Sequence, residues 1–368
     1  MEQLRTGEIR PLTALRFFAA LWVLLYHVHT RWPLVGPGPL DRLLRGGTLG
    51  VSLFFVLSGF VLTHRYVNRG EREKGWVTGY LRRRIARIYP LYLVGLILVL
   101  PFLWLPALGP RPGDTLAAIV ANLLLVQAWI PHLAVFWYGS LAWSVGAEAF
   151  FYVMFPVMAR KLHWASPRDL RWVLALAILG SGLVDVSQGI TFGYVLPVLR
   201  LSEFVAGCLA ARLVAKGWHP RHWTGPAAAL SVAGYLAVLG PWLGEAFPDG
   251  LIVVPAFLIL VSWLCRPHRV ARALSSAWLV SLGRSSYAFF ILQLCPLALA
   301  LTVAPPASQP SAWLVGAGVV TVNLVLASMA HRWIEVPCYH YLTRSLAAER
   351  LQPGKLVVGA QIAPGSVT

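Results

Sequence analysis

Long apolar runs separated by short polar loops extend over most of the chain. A helix needs about 20 mostly apolar residues to cross the bilayer core. Runs of that kind fall near 12–30, 48–66, 88–106, 115–130, 139–159, 172–186, 193–214, 227–243, 250–265, 282–303 and 312–334. Lipid offers no water to satisfy an open backbone, so the pattern predicts an all-α, polytopic integral-membrane helical bundle. No solenoid-type repeat interrupts it. The expected organisation is a membrane-embedded domain over 1–340 and a short cytoplasmic tail over 341–368. The tail is expected to be largely disordered, because beyond Leu351 the sequence has Gly, Pro and Ser without periodicity. The first run carries Arg16 and His27 and has no clear small-residue cleavage site, so it is expected to remain as a span.

The basic residues set the topology. Lys and Arg collect in loops on the cytoplasmic side of membrane proteins. Here Arg65, Arg69, Arg72, Lys74, Arg82, Arg83, Arg84 and Arg87 mark one such loop. Arg160, Lys161, Arg168 and Arg171 mark a second, Arg212, Lys216 and Arg221 a third, and Arg266, Arg269 and Arg272 a fourth. The connections near Asp185, near Glu245 and Asp249, and at Pro305–Pro306 carry no Lys or Arg. Three apolar runs lie between the first two inside loops, yet an even number must cross. The run 115–130 is the shortest of these and holds Asn122 and Gln127, so it is predicted to be re-entrant or interfacial. About ten transmembrane helices then remain, with both termini cytoplasmic in a cell membrane. Arg31, Arg42 and Arg45 in the first outer loop weaken this pattern without reversing it.

Composition agrees. Hydrophobic residues make up 58% of the 368 and charged residues 12%, against about 25% charged in soluble domains. This chain must therefore meet lipid. The formal net charge of +17 would suggest nucleic acid in a soluble protein; here topogenic loops account for most of it, and no nucleic-acid partner is expected. Cys208, Cys265, Cys295 and Cys338 show no metal-ligand spacing, so no metal is expected and they read as small packing residues.

Ionisable residues inside spans are costly and demand a reason. Arg16 and His27 lie eleven residues apart on the first span, close to three helical turns, so they share nearly one face about 16 Å apart along the axis. His27 falls in the outer half and suits general-base work; a structural histidine bonding a neighbouring helix is the alternative. Glu148, in WSVGAEAFFY, must be paired, protonated or functional. It could orient His27, or pair with an arginine such as Arg16 or Arg200. Arg84 and Arg87 share a helix face and could clamp phosphates bidentately, or serve as ordinary inside anchors. Arg200 and Glu203 are placed to form a local ion pair. Ser58–Gly59, with Gly50 nearby, permits close helix approach; Ser58 has no GxSxG elbow around it.

Taken together, these segments resemble the acyltransferase family 3 proteins, integral-membrane O-acyltransferases of bacterial surface glycans and some natural products. The resemblance runs from about Arg10 to Pro337. It rests on LRFFAALWVLLYH with its Arg-x10-His, GVSLFFVLSGF, RRRIARIYP with its Arg-x-x-Arg, WSVGAEAFFYVMFP, LRLSEFVAGC, LGRSSYAFFILQ and IEVP, in that order. It implies acyl-CoA, expected as acetyl-CoA, as donor at Arg84 and Arg87, with His27 as catalytic base and Arg16 and Glu148 as its essential neighbours. Ser58, Trp143, Arg200, Glu203 and Tyr287 are assigned to substrate binding. The acceptor implied is a hydroxyl of a cell-surface glycan or glycolipid, with a macrolide or other secondary metabolite as the alternative. Transfer is either direct or through a transient acyl-His27. Two positions depart from the family pattern: Gln293 stands where many members have His, and Gly146 where Ser is common. A transporter also buries His, Glu and Arg along its path, but the inverted repeats such proteins often carry are not visible in this sequence.

Overall fold

The computed structural model describes residues 8–68, 76–103, 113–134, 138–186, 194–239, 249–306 and 311–350. Arg69, Arg72, Lys74, Glu245 and the tail from Leu351 lie outside the described residues. Among the described residues every regular element is helical. The first helix, α1, runs Arg10–His29 and starts on Pro11, whose fixed φ suits a first turn and whose missing N–H costs nothing there. A short helix α2 (Pro39–Arg45) follows, not foreseen from the sequence, and then α3 (Leu49–Thr63). Helix α4 (Trp76–Val99) begins twelve residues before the expected span and carries the Leu81–Arg87 basic stretch within it.

Next comes α5 (Thr115–Leu123), of nine residues. At 1.5 Å per residue it is about 13 Å long, too short to cross. The chain turns at Leu125, the one non-glycine residue with positive φ (58°) among those described. Most of the polar groups that would be costly in lipid find protein partners, Gln127 Oε1 being buried without one among the described residues. Tyr92 donates to the Asn122 carbonyl at 2.9 Å, the Asn122 amide donates to the Ala118 carbonyl at 2.8 Å, and Gln127 donates to the Ala142 carbonyl at 2.8 Å.

Helices α6 (Gly139–Trp164), α7 (Pro167–Val186), α8 (Pro197–Ala215), α9 (Thr224–Gly234) and α10 (Gly250–Leu264) continue the bundle. The run expected as one helix over 282–303 is divided. Helix α11 (Ala277–Arg284) ends at Ser285, and α12 (Ser286–Leu292) ends at Gln293, where α13 (Leu294–Val303) begins. Helix α14 (Ala312–Ala330) passes through a π-helical turn, His331–Glu335, into α15 (Val336–Arg350). The boundary expected at 340 therefore falls inside a helix.

Among the described residues six segments are long and apolar enough to cross a membrane: Arg10–His29, Pro39–Asn68, Trp76–Phe102, Leu141–Trp164, Ser286–Val303 and Ala312–Arg344. Each overlaps an expected span. Four other expected spans fall short for physical reasons. Helix α7 carries Arg168, Asp169 and Arg171, and α8 carries Arg200, Glu203 and Arg212. The apolar segments Thr224–Leu239 and Gly250–Leu264 are simply short.

Helices α3 and α8 pack most intimately. A Cβ on Gly59 would collide with the Phe204 carbonyl, and one on Gly207 with the Val56 carbonyl. Each helix thus contributes a glycine where the other's backbone passes. This close pairing sets Ser52, Phe55 and Ser58 of α3 against Arg200 and Glu203 of α8 and against α6.

Candidate active site

Four cavities follow one another through the bundle, each sharing lining residues with the next. The first, about 360 Å³, lies at the basic end and is lined by Arg16, Arg65, Arg84, Arg87 and Arg284. The carboxylates there are already engaged: Glu8 takes Arg284 at 2.8 Å and Glu335 takes His331 at 2.8 Å. Arg84 lies over the Tyr152 ring, 5.7 Å from its centroid. The Nε atoms of Arg84 and Arg16 are buried without hydrogen-bond partners among the described residues. Buried donors are seldom left unmatched, and such a set fits a ligand carrying several negative charges.

Arg16 also lines the second cavity, a constriction of about 30 Å³ walled by Phe54, Phe55, Tyr287, Phe290 and Glu148. By volume it has room for about two water-sized groups. Phe54 and Phe290 meet edge to face at 5.5 Å. Glu148 accepts hydrogen bonds from Tyr152 at 2.6 Å and Ser58 at 2.9 Å, both on Oε1. Tyr287 donates to the Ile88 carbonyl at 2.8 Å, two residues before Pro90 in α4. Its hydroxyl is thereby committed to structure while its ring walls the constriction.

Val51 and Phe290 continue from the constriction into a third cavity of about 130 Å³, lined by His27, Tyr26, Thr48, Trp143 and Tyr194. The His27 ring packs edge-on against Tyr26 at 5.1 Å, while its carbonyl accepts Arg31 at 3.1 Å and Thr30 at 3.2 Å. No described residue hydrogen-bonds the imidazole. Tyr26, Thr48 and Tyr194 lead on to a fourth cavity of about 300 Å³, which adds Ser52, Arg200, Glu203 and Asp249. Arg200 bonds Glu203 at 3.2 Å and Ser52 at 3.1 Å, and is enclosed by the rings of Tyr194, Phe55 and Trp143 at 5.0, 5.5 and 5.7 Å. The expected local ion pair of Arg200 and Glu203 is therefore present.

The sequence-predicted residues thus fall along one path rather than in one cluster. Arg16, Arg84 and Arg87 meet at its basic mouth. Ser58, Glu148 and Tyr287 gather at the constriction, and His27 and Trp143 share the chamber beyond. Among the described residues no hydrogen bond joins Glu148 to His27. Glu148 Oε1 is held by Ser58 and Tyr152, and the residue lines the constriction, whereas His27 lines the following chamber. Glu148 makes no ion pair with Arg16 or Arg200 among the described residues either.

The departure at Gly146 has a steric reason: a Cβ there would sit 2.8 Å from the Leu125 carbonyl. Gln293 is fully buried and donates to the Phe290 carbonyl at 2.9 Å, at the break between α12 and α13.

Sequence reasoning missed Tyr152, Tyr194, Thr48 and Ser52. Tyr152 had a signal, being four residues from Glu148 on one helix face. It also missed His29, whose Nδ1 accepts the Leu34 N–H at 2.9 Å, so that Nε2–H donates to Asp41 at 2.8 Å and ties α1 to α2.

A helical bundle with long apolar segments holds a series of adjoining cavities, arginine-lined at one end and lined by His27 further in. Residues 10–332 match the acyltransferase domain of acyltransferase family 3, and the chain belongs to that family. It is a multi-pass membrane acyltransferase. It is 30% identical to the acyltransferase MdmB of Streptomyces mycarofaciens, over 92% of this chain and 94% of that protein. It is also 30% identical to the exopolysaccharide production protein ExoZ of Rhizobium meliloti, over 67% of this chain and 75% of that one. With the O-acetyltransferase OatA of Staphylococcus aureus it shares 28% identity over 57% of this chain and 36% of OatA. No solved structure matches it.

Proposed function

We propose that this protein moves an acetyl group from cytosolic acetyl-CoA to a hydroxyl of a carbohydrate, within the membrane. The observation that carries the reading is the succession of cavities, joined by shared lining residues, from the arginine-lined one to the His27 chamber. Arg84 and Arg87 hold the donor's phosphates at the cytoplasmic mouth. Arg16 and His27 are about 16 Å apart along one helix, a span suited to an extended pantetheine arm threading the constriction. His27 takes the proton of the acceptor hydroxyl as its oxygen attacks the thioester carbonyl. The C–S bond then breaks, and the departing thiolate takes a proton to leave as CoA. Arg16 and Glu148 line the narrow passage that the arm threads on its way to His27.

Donor and acceptor thus approach from opposite ends. The loop charges support a cytoplasmic donor side, both termini inside, ten crossings and a re-entrant 115–130 segment. The outer chamber, with hydroxyls from Thr48, Ser52 and Tyr194 beside Arg200, Glu203 and Asp249, suits a polyhydroxylated acceptor. Similarity to ExoZ, an exopolysaccharide production protein, supports a carbohydrate acceptor, and similarity to OatA, an O-acetyltransferase, supports an acetyl donor.

The test is single-turnover transfer of labelled acetyl-CoA by purified protein, offered mixed sugar and polyketide acceptors, beside His27→Ala. Label on a sugar with wild type alone supports the reading. Label on a polyketide moves the acceptor to a macrolide-like metabolite. A blank with acetyl and longer acyl donors, from folded wild type, overturns it.

A further inference from the structure

Tyr152 touches both halves of the inner site. Its hydroxyl donates to Glu148 Oε1 at 2.6 Å, and its ring lies under the Arg84 guanidinium, 5.7 Å from the carbon. Ser58 donates to the same carboxylate oxygen at 2.9 Å. Glu148 and Arg16 both line the constriction, yet no ion pair joins them among the described residues, and Arg16 Nε is buried without a partner. Away from water, opposite charges attract strongly, and a carboxylate free to turn would close on the guanidinium with charge-assisted bonds. Something must hold it off.

We propose that Tyr152 is a positioning residue that, together with Ser58, pins Glu148 away from Arg16 while its ring seats Arg84 against the donor. Its two roles use different parts of one side chain. The hydroxyl keeps Arg16 open to the arm that carries the thioester through the constriction to His27; the ring face supports the guanidinium that grips phosphate, by cation–π attraction. The inference rests on the donor reading above.

The roles separate by substitution. Tyr152→Phe keeps the ring and removes the hydroxyl; Tyr152→Leu removes both. With labelled acetyl-CoA, Tyr152→Phe is expected to lower kcat about tenfold, the size of a lost hydrogen bond to a charged group, with the donor KM within about twofold of wild type. Tyr152→Leu is expected to lower kcat similarly and to raise the donor KM about fivefold, the scale of a lost cation–π contact. Ser58→Ala combined with Tyr152→Phe should bring kcat close to that of Arg16→Ala. Melting curves in detergent identify any variant that fails to fold; if Tyr152→Leu does, the Ser58→Ala/Tyr152→Phe pair carries the test. Full kcat in Tyr152→Phe, or equal KM shifts in both variants, overturns this inference alone. A blank wild type with acetyl-CoA overturns it together with the donor reading.

Discussion

Arg16 and His27 stand eleven residues apart on one helix and open into different cavities, Arg16 into the donor mouth and the constriction, His27 into the chamber beyond. A single helix α1 therefore sets the distance between the arginine-lined cavity and the His27 chamber, the proposed sites of donor binding and proton transfer. Placing both groups on one element fixes that separation more firmly than two packed helices could.

Donor affinity should depend on the arginine mouth more than turnover does. Arg84→Ala and Arg87→Ala are each expected to raise the donor KM by tenfold or more, since a charge-assisted bond contributes about 1.5–3 kcal/mol. Lysine at either position should restore only part of this, because a point charge lacks the planar fork. Steady-state kinetics with varied acetyl-CoA checks both; unchanged KM in the alanine variants would leave these residues as topogenic anchors.

The glycine contact between α3 and α8 should be a stability determinant. Gly59→Ala and Gly207→Ala each put a methyl group into the opposing helix's carbonyl, and overpacking of this kind costs about 1–3 kcal/mol. A lower unfolding midpoint in detergent is expected for each. Substitution at Gly318, whose surroundings are open, serves as control.

The Arg200–Glu203 pair should show the asymmetry of buried charges. Both side chains are 3% exposed. Arg200→Ala leaves Glu203 buried beside a vacated aromatic cage, and breaking such a pair costs about 3–5 kcal/mol. Arg200→Met combined with Glu203→Leu removes both charges and should recover much of that loss in thermal stability. If the double variant also lacks transfer activity while folding normally, the pair serves the acceptor as well as the fold.

The sequence made the path's contents legible but not their grouping. Hydropathy located the six long apolar segments, and spacing put Arg16 with His27 on one face and Arg84 with Arg87 on another. It could not see that α4 would absorb Leu81–Arg87, since a window average reads a charged stretch as a loop even where the helix continues past the bilayer core. It likewise read 282–303 as one helix, although Ser285 and Gln293 divide it. The partner of Glu148 was illegible for a different reason. Which neighbour meets its carboxylate depends on α3 packing against α6, and Ser58 lies ninety residues away in sequence. Tyr194 was passed over because its role arises from contact with Arg200 and the His27 chamber, which no local pattern encodes.

The clasp at the donor mouth gives a pH test with a defined sign. Arg284 bonds both oxygens of Glu8, at 3.1 and 2.8 Å, and holds its carboxyl below the ordinary value of 4.5 against the opposing effect of burial. A carboxylate with a lowered folded-state pKa stabilises the fold fully above its unfolded value and loses that contribution as pH falls through the folded one. Wild type should therefore melt above Glu8→Gln at pH 7, and the two should converge as pH drops below about 4.5. Because both groups are partly open to solvent, with side chains 28% and 57% exposed, the difference should be small and should shrink in high salt. The clasp also keeps one arginine of the mouth from the donor. Freed in Glu8→Gln, Arg284 can turn to phosphate, so that variant should bind acetyl-CoA more tightly at pH 7 while melting lower. Isothermal titration and thermal melts on the same preparation read the two opposite shifts; lower melting with weaker binding would show that Glu8 itself helps to hold the donor.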